Sequence, residues 1–305
     1  MLDIAIIGGG TAGLTAAIYA ARAQLSAVVL EKFYTGGQIV NTETVDNYPG
    51  LPHISGFDLS DALRSHAEEL GAQFRMEAAE KVQYRDGVFE VVLSEESELI
   101  CARTVIYAAG AHHRTLDVPG EQEFLGSGVS YCAACDAAFY AGRTAAVIGG
   151  GDTALSDALV LSRGCKTVYL VHRRSAYRAN AELISRVKQA ENIVPVLDCV
   201  PVAIGGTDGV QTLTVKHVPS GKQRTLETQG VFVAVGMKPN TEMLEGVVDL
   251  DTSGYVIADE TGTTSLNGFF AAGDVRTKPF RQLVTAAADG ANCVHAVEQY
   301  LTAHQ

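Results

Sequence analysis

No stretch of this chain is apolar over the ~18 residues that a membrane span requires. No charged-then-apolar leader precedes the first strand-like run, which begins at Leu2. Basic residues are in short supply: 23 Lys and Arg stand against 35 Asp and Glu, a net charge of −12. That balance excludes a general nucleic-acid surface, which needs a positive field, so any phosphate must be held by a local cluster of arginines. Of the six cysteines, Cys101, Cys165, Cys199 and Cys293 stand singly, as small buried hydrophobes do. No second Cys-x-x-Cys and no Cys/His pair completes four ligands, so no metal is expected. These absences predict a cytoplasmic protein with neither a membrane nor a nucleic-acid partner.

What is present is glycine, 31 residues of it, in a chain of 305 that is 47% apolar. That length suits about two domains, and that composition an α/β protein rich in tight turns. The apolar run Leu2–Ile7 leads into Gly8-Gly9-Gly10-Thr11-Ala12-Gly13 and a helical stretch to Arg22. Strand, glycine turn and helix open a Rossmann unit: Gly8 makes the turn, Gly10 lets the backbone approach a pyrophosphate, and Gly13 allows close helix–strand packing. The anion then lies on the helix N-terminus.

The same pattern returns as Thr144–Ile148, Gly149-Gly150-Gly151-Asp152-Thr153-Ala154 and a helix to about Ser162. Each copy runs on through short alternating strands and closes on a strand with glycine, at Val105–Gly110 and at Val231–Gly236. A tail with Gly273-Asp274 and a helix-like segment from about Gln282 to Leu301 is too short to be a domain and must complete the first copy. The expected fold is α/β, with two Rossmann-like (three-layer ββα) dinucleotide-binding domains, the second inserted in the first. The boundaries expected are 1–114 with 246–305, and 115–245.

The residue ending the second strand of a Rossmann unit faces the adenosine ribose. In the first copy it is Glu31, 21 residues after Gly10 (31 − 10), and the same count from Gly151 reaches His172 (172 − 151). Glu31 can accept hydrogen bonds from ribose hydroxyls and would repel a 2′-phosphate. His172 is followed by Arg173, Arg174 and Arg178, and guanidinium groups pair well with phosphate. The spacing therefore proposes a nucleotide without a 2′-phosphate in the first copy and NADP(H) in the second.

Between the fingerprints lies Cys132-Ala-Ala-Cys135, only 14 positions before Gly149 (149 − 135). Cysteines so spaced in a cytoplasmic chain are catalytic, redox-sensing or metal-binding. On one helical turn their Cβ atoms, about 5–6 Å apart, come within disulfide reach after modest adjustment. A helix beginning at Cys135 would favour a thiolate. The placement suggests electrons passing between a nucleotide and a disulfide.

Together these pieces resemble the low-molecular-weight thioredoxin reductases, over essentially the whole chain. The resemblance is carried by residues 8–13, Gly36-Gly37-Gln38, Val129–Asp136, His172-Arg173-Arg174 with Arg178, Ala272-Gly273-Asp274 and Arg281-Gln282. Glutathione reductase and its relatives instead carry an early Cys-x4-Cys, absent here. The resemblance implies FAD in the first domain, held by Gly8, Gly10, Thr11, Ala12, Gly13 and Glu31. Gly37, Gln38, Asn47 and Gly110 would lie near the flavin, Gly273 and Asp274 at its ribityl–pyrophosphate region, and Arg281 and Gln282 towards its ring system. NADPH would lie on Gly149, Gly151, Asp152, Thr153, His172 and the three arginines.

It also implies that Cys135 receives electrons from the flavin, that Cys132 attacks the disulfide of thioredoxin, and that Asp136 supplies a proton. Rotation of the inserted domain and a homodimer are implied as well. Ala137-Ala138-Phe139, Ser156-Asp157 and His113 depart from the usual residues. Rival readings are a flavin-dependent dithiol oxidase, a peroxide-reducing flavoprotein subunit, a reductase fed by ferredoxin, and a non-catalytic flavin redox sensor.

Overall fold

A computed structural model describes residues 1–304 apart from 43 and 95–98. The chain divides into two compact units, residues 1–112 with 238–305 and residues 113–237. The first opens with β1 (Leu2–Ile7), α1 (Thr11–Arg22) and β2 (Ala27–Leu30). It continues through α2 (Gly56–Glu69), β3 (Gln73–Arg75), β4 (Ala79–Arg85), β5 (Val88–Leu93) and β6 (Leu99–Tyr107). These strands form a sheet in the order β3-β2-β1-β6-β5-β4. Its β1, β2, β3 and β6 are parallel neighbours, and β4–β5–β6 form an antiparallel meander. Both faces of β1 from Ile4 to Ile7 and of β6 from Thr104 to Tyr107 are buried, as the apolar runs Ile4–Ile7 and Val105–Tyr107 require of a covered sheet.

After β7 (Ala111–His113) the chain enters the inserted unit. There β8 (Val129–Ser130) leads to the short α3 (Ala133–Asp136), β9 (Thr144–Ile148), α4 (Asp152–Ser162) and β10 (Thr167–Val171). Next come α5 (Ala181–Gln189), β11 (Ile193–Val196), and the antiparallel β12 (Cys199–Gly206), β13 (Val210–His217) and β14 (Gln223–Glu227). The parallel sheet closes with β15 (Gly230–Val233), in the order β11-β10-β9-β15-β8.

The return strand β16 (Met237–Pro239) pairs with β7 as a two-stranded ribbon straddling the boundary. On one side Arg114 N–H donates to Gly236 O at 3.0 Å; on the other Asn240 N–H donates to Gly110 O at 3.0 Å. The return crossing falls at 237/238, eight residues before the position read from sequence (246 − 238). Asn240 accounts for the difference. Its carbonyl accepts the Tyr107 hydroxyl at 2.6 Å and its Nδ2 donates to Ala109 O at 2.7 Å, so this segment is already bound to the first sheet. Finally β17 (Phe269–Ala271) pairs in parallel with the C-terminal half of β6, and α6 (Leu283–Ala303) packs on α1 through Cys293, Val294, Val297 and Leu301. Among the described residues no helix is long and apolar enough to cross a membrane.

Candidate functional site

Two helices differ from their neighbours in how they begin. Ser55 caps α2 and Asn180 caps α5 with side-chain oxygens. In contrast α1 starts on extended Gly10 and α4 on extended Gly151, with no side-chain cap on either. The first N–H groups of a helix lack intrahelical acceptors, so both ends leave donors for an anion.

Close packing explains the glycines. A Cβ on Gly13 would collide with the Gly8 carbonyl oxygen, and Gly8 itself sits at φ +105° with Ala108 O only 2.5 Å from where its Cβ would be. Glu31 closes this turn: Oε2 accepts Gly9 N–H at 2.7 Å, and Oε1 accepts Lys32 N–H at 2.7 Å. Gly37 lies beside Gly10, its hypothetical Cβ 3.5 Å from the Gly10 Cα.

Other expected residues of the first unit gather in pairs. Gln38 Nε2 donates to Ala111 O. Asn47 Nδ2 donates to Gln282 Oε1 at 2.9 Å, although the two are 235 positions apart. Gly273 packs against Ala12, and the Arg281 guanidinium sits 4.0 Å from the Tyr255 ring centre while donating to the Asp274 carbonyl. Asp274 carries a buried Oδ1 without a partner. Burial pushes its carboxyl up, opposed by Lys278 and Arg281. A buried carboxylate oxygen left over, an uncapped helix and a glycine cradle suit a dinucleotide whose phosphates meet α1 and whose hydroxyls meet Asp274. The residues present therefore fit a bound flavin dinucleotide.

In the inserted unit the glycine turn makes a similar close approach to the closing strand. Gly149 is at φ +157° with Ala234 O 2.4 Å from a hypothetical Cβ, whereas Gly151 faces open space. Asp152 Oδ1 accepts Asn180 N–H at 2.8 Å, tying the head of α4 to the cap of α5, and Thr153 is exposed. His172 is only 5% exposed. Its ring packs on Gly150 and against Tyr177, with Nε2 3.1 Å from Ala176 O. Burial first, then the neighbouring arginines, lowers its pKa, so it is a neutral wall of the turn. Arg173, Arg174 and Arg178 are exposed, and Arg178 N–H donates to Gly150 O at 2.7 Å.

The dithiol is built on β8 and α3. Cys132 and Cys135 form a disulfide with Cα atoms 5.3 Å apart. Cys132, not Cys135, starts the helix: its sulfur accepts Cys135 N–H at 3.2 Å, and its carbonyl accepts Asp136 N–H at 3.1 Å. The residue at the cap is the one whose side chain can meet the free N–H groups, and a donor aimed at Cys132 Sγ favours its thiolate once the bond opens. Cys135 is exposed and Cys132 half-buried. Asp136 turns inward and accepts the Ser130 hydroxyl at 2.6 Å. Burial raises its carboxyl, against the pull of that hydrogen bond.

Behind the dithiol, buried Glu121 accepts Leu116 N–H, Asp117 N–H and the Tyr131 hydroxyl at 2.8–2.9 Å. The departure at 113 places a histidine ring on Tyr131, with centroids 4.7 Å apart. Neither Ser130 nor Glu121 was singled out as a site residue from sequence, since a serine and a glutamate have no local pattern that announces a hydrogen bond five to ten positions away. Among the described residues no group of His, Cys, Asp and Glu could hold a metal ion.

The sequence profile of the pyridine nucleotide-disulphide oxidoreductase family matches residues 2–290. A bifunctional thioredoxin reductase/thioredoxin of Mycobacterium leprae (strain TN) is 42% identical over 304 residues, 99% of this chain and 66% of that protein. A thioredoxin reductase of Treponema pallidum (strain Nichols) is 40% identical over 300 residues, 98% of this chain and 97% of that one. The crystal structure of thioredoxin reductase from Streptococcus pyogenes MGAS5005 superposes with a TM-score of 0.93 at 38% identity, covering 99% of both chains.

Proposed function

The chain belongs to the pyridine nucleotide-disulphide oxidoreductase family, and from that footing we propose that it is an NADPH-dependent thioredoxin reductase. The observation that carries the reading is the Cys132–Cys135 disulfide, set at the head of a helix inside a nucleotide-binding unit with a buried carboxylic acid beside it.

FAD would be held by Gly8, Gly10, Thr11, Ala12, Gly13, Glu31, Gly37, Gln38, Asn47, Gly110, Gly273, Asp274, Arg281 and Gln282; when bound, it supplies a carrier that takes a hydride from a nicotinamide and yields two electrons to a disulfide. Around it the chain's own residues orient and select. The free N–H groups at the start of α1 would hold the pyrophosphate, and Glu31, already bonded to its own turn, presents a carboxylate that would exclude a 2′-phosphate. In the inserted unit the exposed Arg173, Arg174 and Arg178 recognise the 2′-phosphate of NADPH. Buried, neutral His172 supports the turn.

The reduced dithiol reacts by thiol–disulfide exchange. Cys132 Sγ⁻ attacks one sulfur of the partner disulfide, forming a mixed disulfide and expelling the other sulfur as a thiolate, which takes its proton from Asp136. Cys135 Sγ⁻ then attacks Cys132 Sγ, restores the internal disulfide and releases the partner's second thiolate. NADPH would be held within residues 113–237, the unit that also carries the dithiol. The protein works in the cytoplasm as a homodimer.

Anaerobic addition of NADPH to the holoprotein should bleach the flavin, and oxidised thioredoxin should restore its colour. Bleaching without recovery would reject thioredoxin as acceptor, and no bleaching would reject NADPH as donor. Replacing Arg173 and Arg174 with Ala should raise the KM for NADPH on the order of a hundredfold, two charge-assisted contacts being lost, while the KM for NADH stays within about twofold. Equal effects on the two nucleotides would refute the assignment.

A further inference from the structure

A hydroxyl stands between the dithiol and its acid. Ser130, the last residue of β8, is 6% exposed. Its Oγ accepts Cys132 N–H at 3.0 Å and donates to Asp136 Oδ2 at 2.6 Å. The loop thus contains a directed chain from the peptide of the attacking cysteine, through one hydroxyl, to the carboxylate. Asp136 closes the ring by donating its own N–H to the Cys132 carbonyl at 3.1 Å.

We propose that Ser130 is a positioning residue of the disulfide chemistry, its hydroxyl holding the Asp136 carboxyl in register with Cys132 and setting the pH at which that carboxyl gives up its proton. This deepens the assignment of Asp136 as proton donor and rests on it.

A serine hydroxyl has one proton to give, and Cys132 N–H already occupies an acceptor position on Oγ. Oγ lies 2.6 Å from Asp136 Oδ2 but 3.5 Å from its other acceptor, the Cys132 carbonyl oxygen, so the Ser130 proton goes to Asp136, where it favours the ionised carboxylate over the acid. Without Ser130 the Asp136 oxygen would remain desolvated and lose that donor, while Cys132 N–H would lose its acceptor. The other titratable groups on the elements packed against α3 are Tyr140, from the turn after it, and Asp152 and Asp157, from α4, of which Asp152 is exposed and bonded to Asn180. Burial raises the Tyr140 phenol, with the Asp136 charge next, and burial raises Asp157 to about 6. None of these donates a hydrogen bond to Asp136, so Ser130 is the donor through which its ionisation is tuned.

As proton donor, Asp136 must be protonated, so the rate of thiol release falls as pH rises through its pKa. Removing a hydrogen bond to the charged form raises that pKa. In Ser130→Ala the alkaline limb of thioredoxin reduction, measured in a single turnover from the NADPH-reduced holoprotein, should move up by about one pH unit, the tenfold change expected for one such bond. Flavin bleaching by NADPH should keep its wild-type rate in the same variant, and Ser130→Thr, which keeps the hydroxyl, should return the limb to its wild-type position. Measurement in an Asp157→Asn background removes the other group titrating nearby.

Independently of turnover, infrared titration of the oxidised protein, taken as the difference from Asp136→Asn, should show the Asp136 carboxyl protonated to higher pH in Ser130→Ala than in wild type. A uniform fall in rate with no displacement of limb or carboxyl titration would overturn the proposal and leave Ser130 a packing residue. If Asp136→Asn itself keeps the alkaline limb, Asp136 is not the donor, and the infrared titration alone then decides whether Ser130 tunes it. Should Ser130→Ala not fold, Ser130→Thr with a displaced titration would equally overturn the proposal.

Discussion

Cys132→Ser should lose thioredoxin reduction by roughly 10⁴-fold, the scale on which removal of a nucleophile acts, yet still bleach its flavin with NADPH at an unchanged rate. The asymmetry follows from where the sulfur sits. Cys132 Sγ accepts the Cys135 N–H, so it is the better-supported thiolate of the pair, while Cys135 lies exposed on the same turn. Cys135→Ser should fail differently. Its Cys132 can still attack, but the resolving sulfur is gone, so a thioredoxin lacking its second cysteine, with the first activated as a mixed disulfide with thionitrobenzoate, should release thionitrobenzoate and accumulate as a covalent complex on a non-reducing gel. If Cys135→Ser forms no complex and Cys132→Ser does, the two sulfurs have exchanged roles.

The largest loss of stability should come in the other unit, at Asp289→Asn. Asp289 lies inside α6, 5% exposed, and receives Arg276 Nη2 and Lys278 Nζ at 2.8 Å each, from side chains only 2% and 4% exposed. Its Oδ2 also accepts Gly273 N–H at 2.9 Å, so one carboxylate serves two buried cations and the glycine beside Asp274. Neutralising it leaves Arg276 with Glu260, which is 84% exposed and 3.3 Å away, and with the more distant charge of Asp259, and leaves Lys278 with the charge of Asp274. Breaking a buried pair from one side costs about 3–5 kcal/mol, which should lower the thermal midpoint by about 10 °C.

Burial alone would raise the Asp289 carboxyl, but Arg276 and Lys278 hold it below the ordinary carboxylate range. A depressed folded pKa contributes stability above the unfolded value and loses it as pH falls through the folded one. The wild-type advantage over Asp289→Asn should therefore be constant at neutral pH and shrink only in acid, below the ordinary carboxylate pKa. A gap of equal size at every pH would mean that packing, not charge, is what Asp289 contributes.

Much of this architecture could be read before any coordinates, for a reason particular to glycine turns. Gly8, Gly13 and Gly149 are required by contacts with backbone a few residues away or with the closing strand, so a short pattern carries them. Spacing sufficed for Glu31 for the same reason, because a strand of fixed rise delivers it to the turn. Long-range pairings left no such trace. Resemblance put Asn47 and Gln282 each near the flavin but did not announce the hydrogen bond between them, and Asn240 drew the return crossing towards the first sheet through bonds to Tyr107 and Ala109 that no local run of residues announces. His172 shows a subtler limit. Its position was correctly counted, but whether a ring at that position faces a ligand or lines the turn depends on the packing of Gly150 and Tyr177. The helix start moved from Cys135 to Cys132 because a sulfur, which capping preferences do not include, took the cap.

The interrupted connectivity of the first sheet also orders events on the ribosome. Residues 113–237 are continuous and can close their sheet once they have emerged. The first 112 residues cannot: the apolar face of α1 is covered by α6, and one edge of β6 waits for β17. At translation rates of about 5–20 residues per second, the 193 residues that follow (305 − 112) take roughly 10–40 s to appear. Throughout that interval Ala16, Ala20 and their neighbours on α1 have no permanent cover, and a nascent chain in this state is a natural client for a chaperone. The unit that carries the dithiol is finished first, and the glycine cradle at the very start of the chain is the last part to be completed.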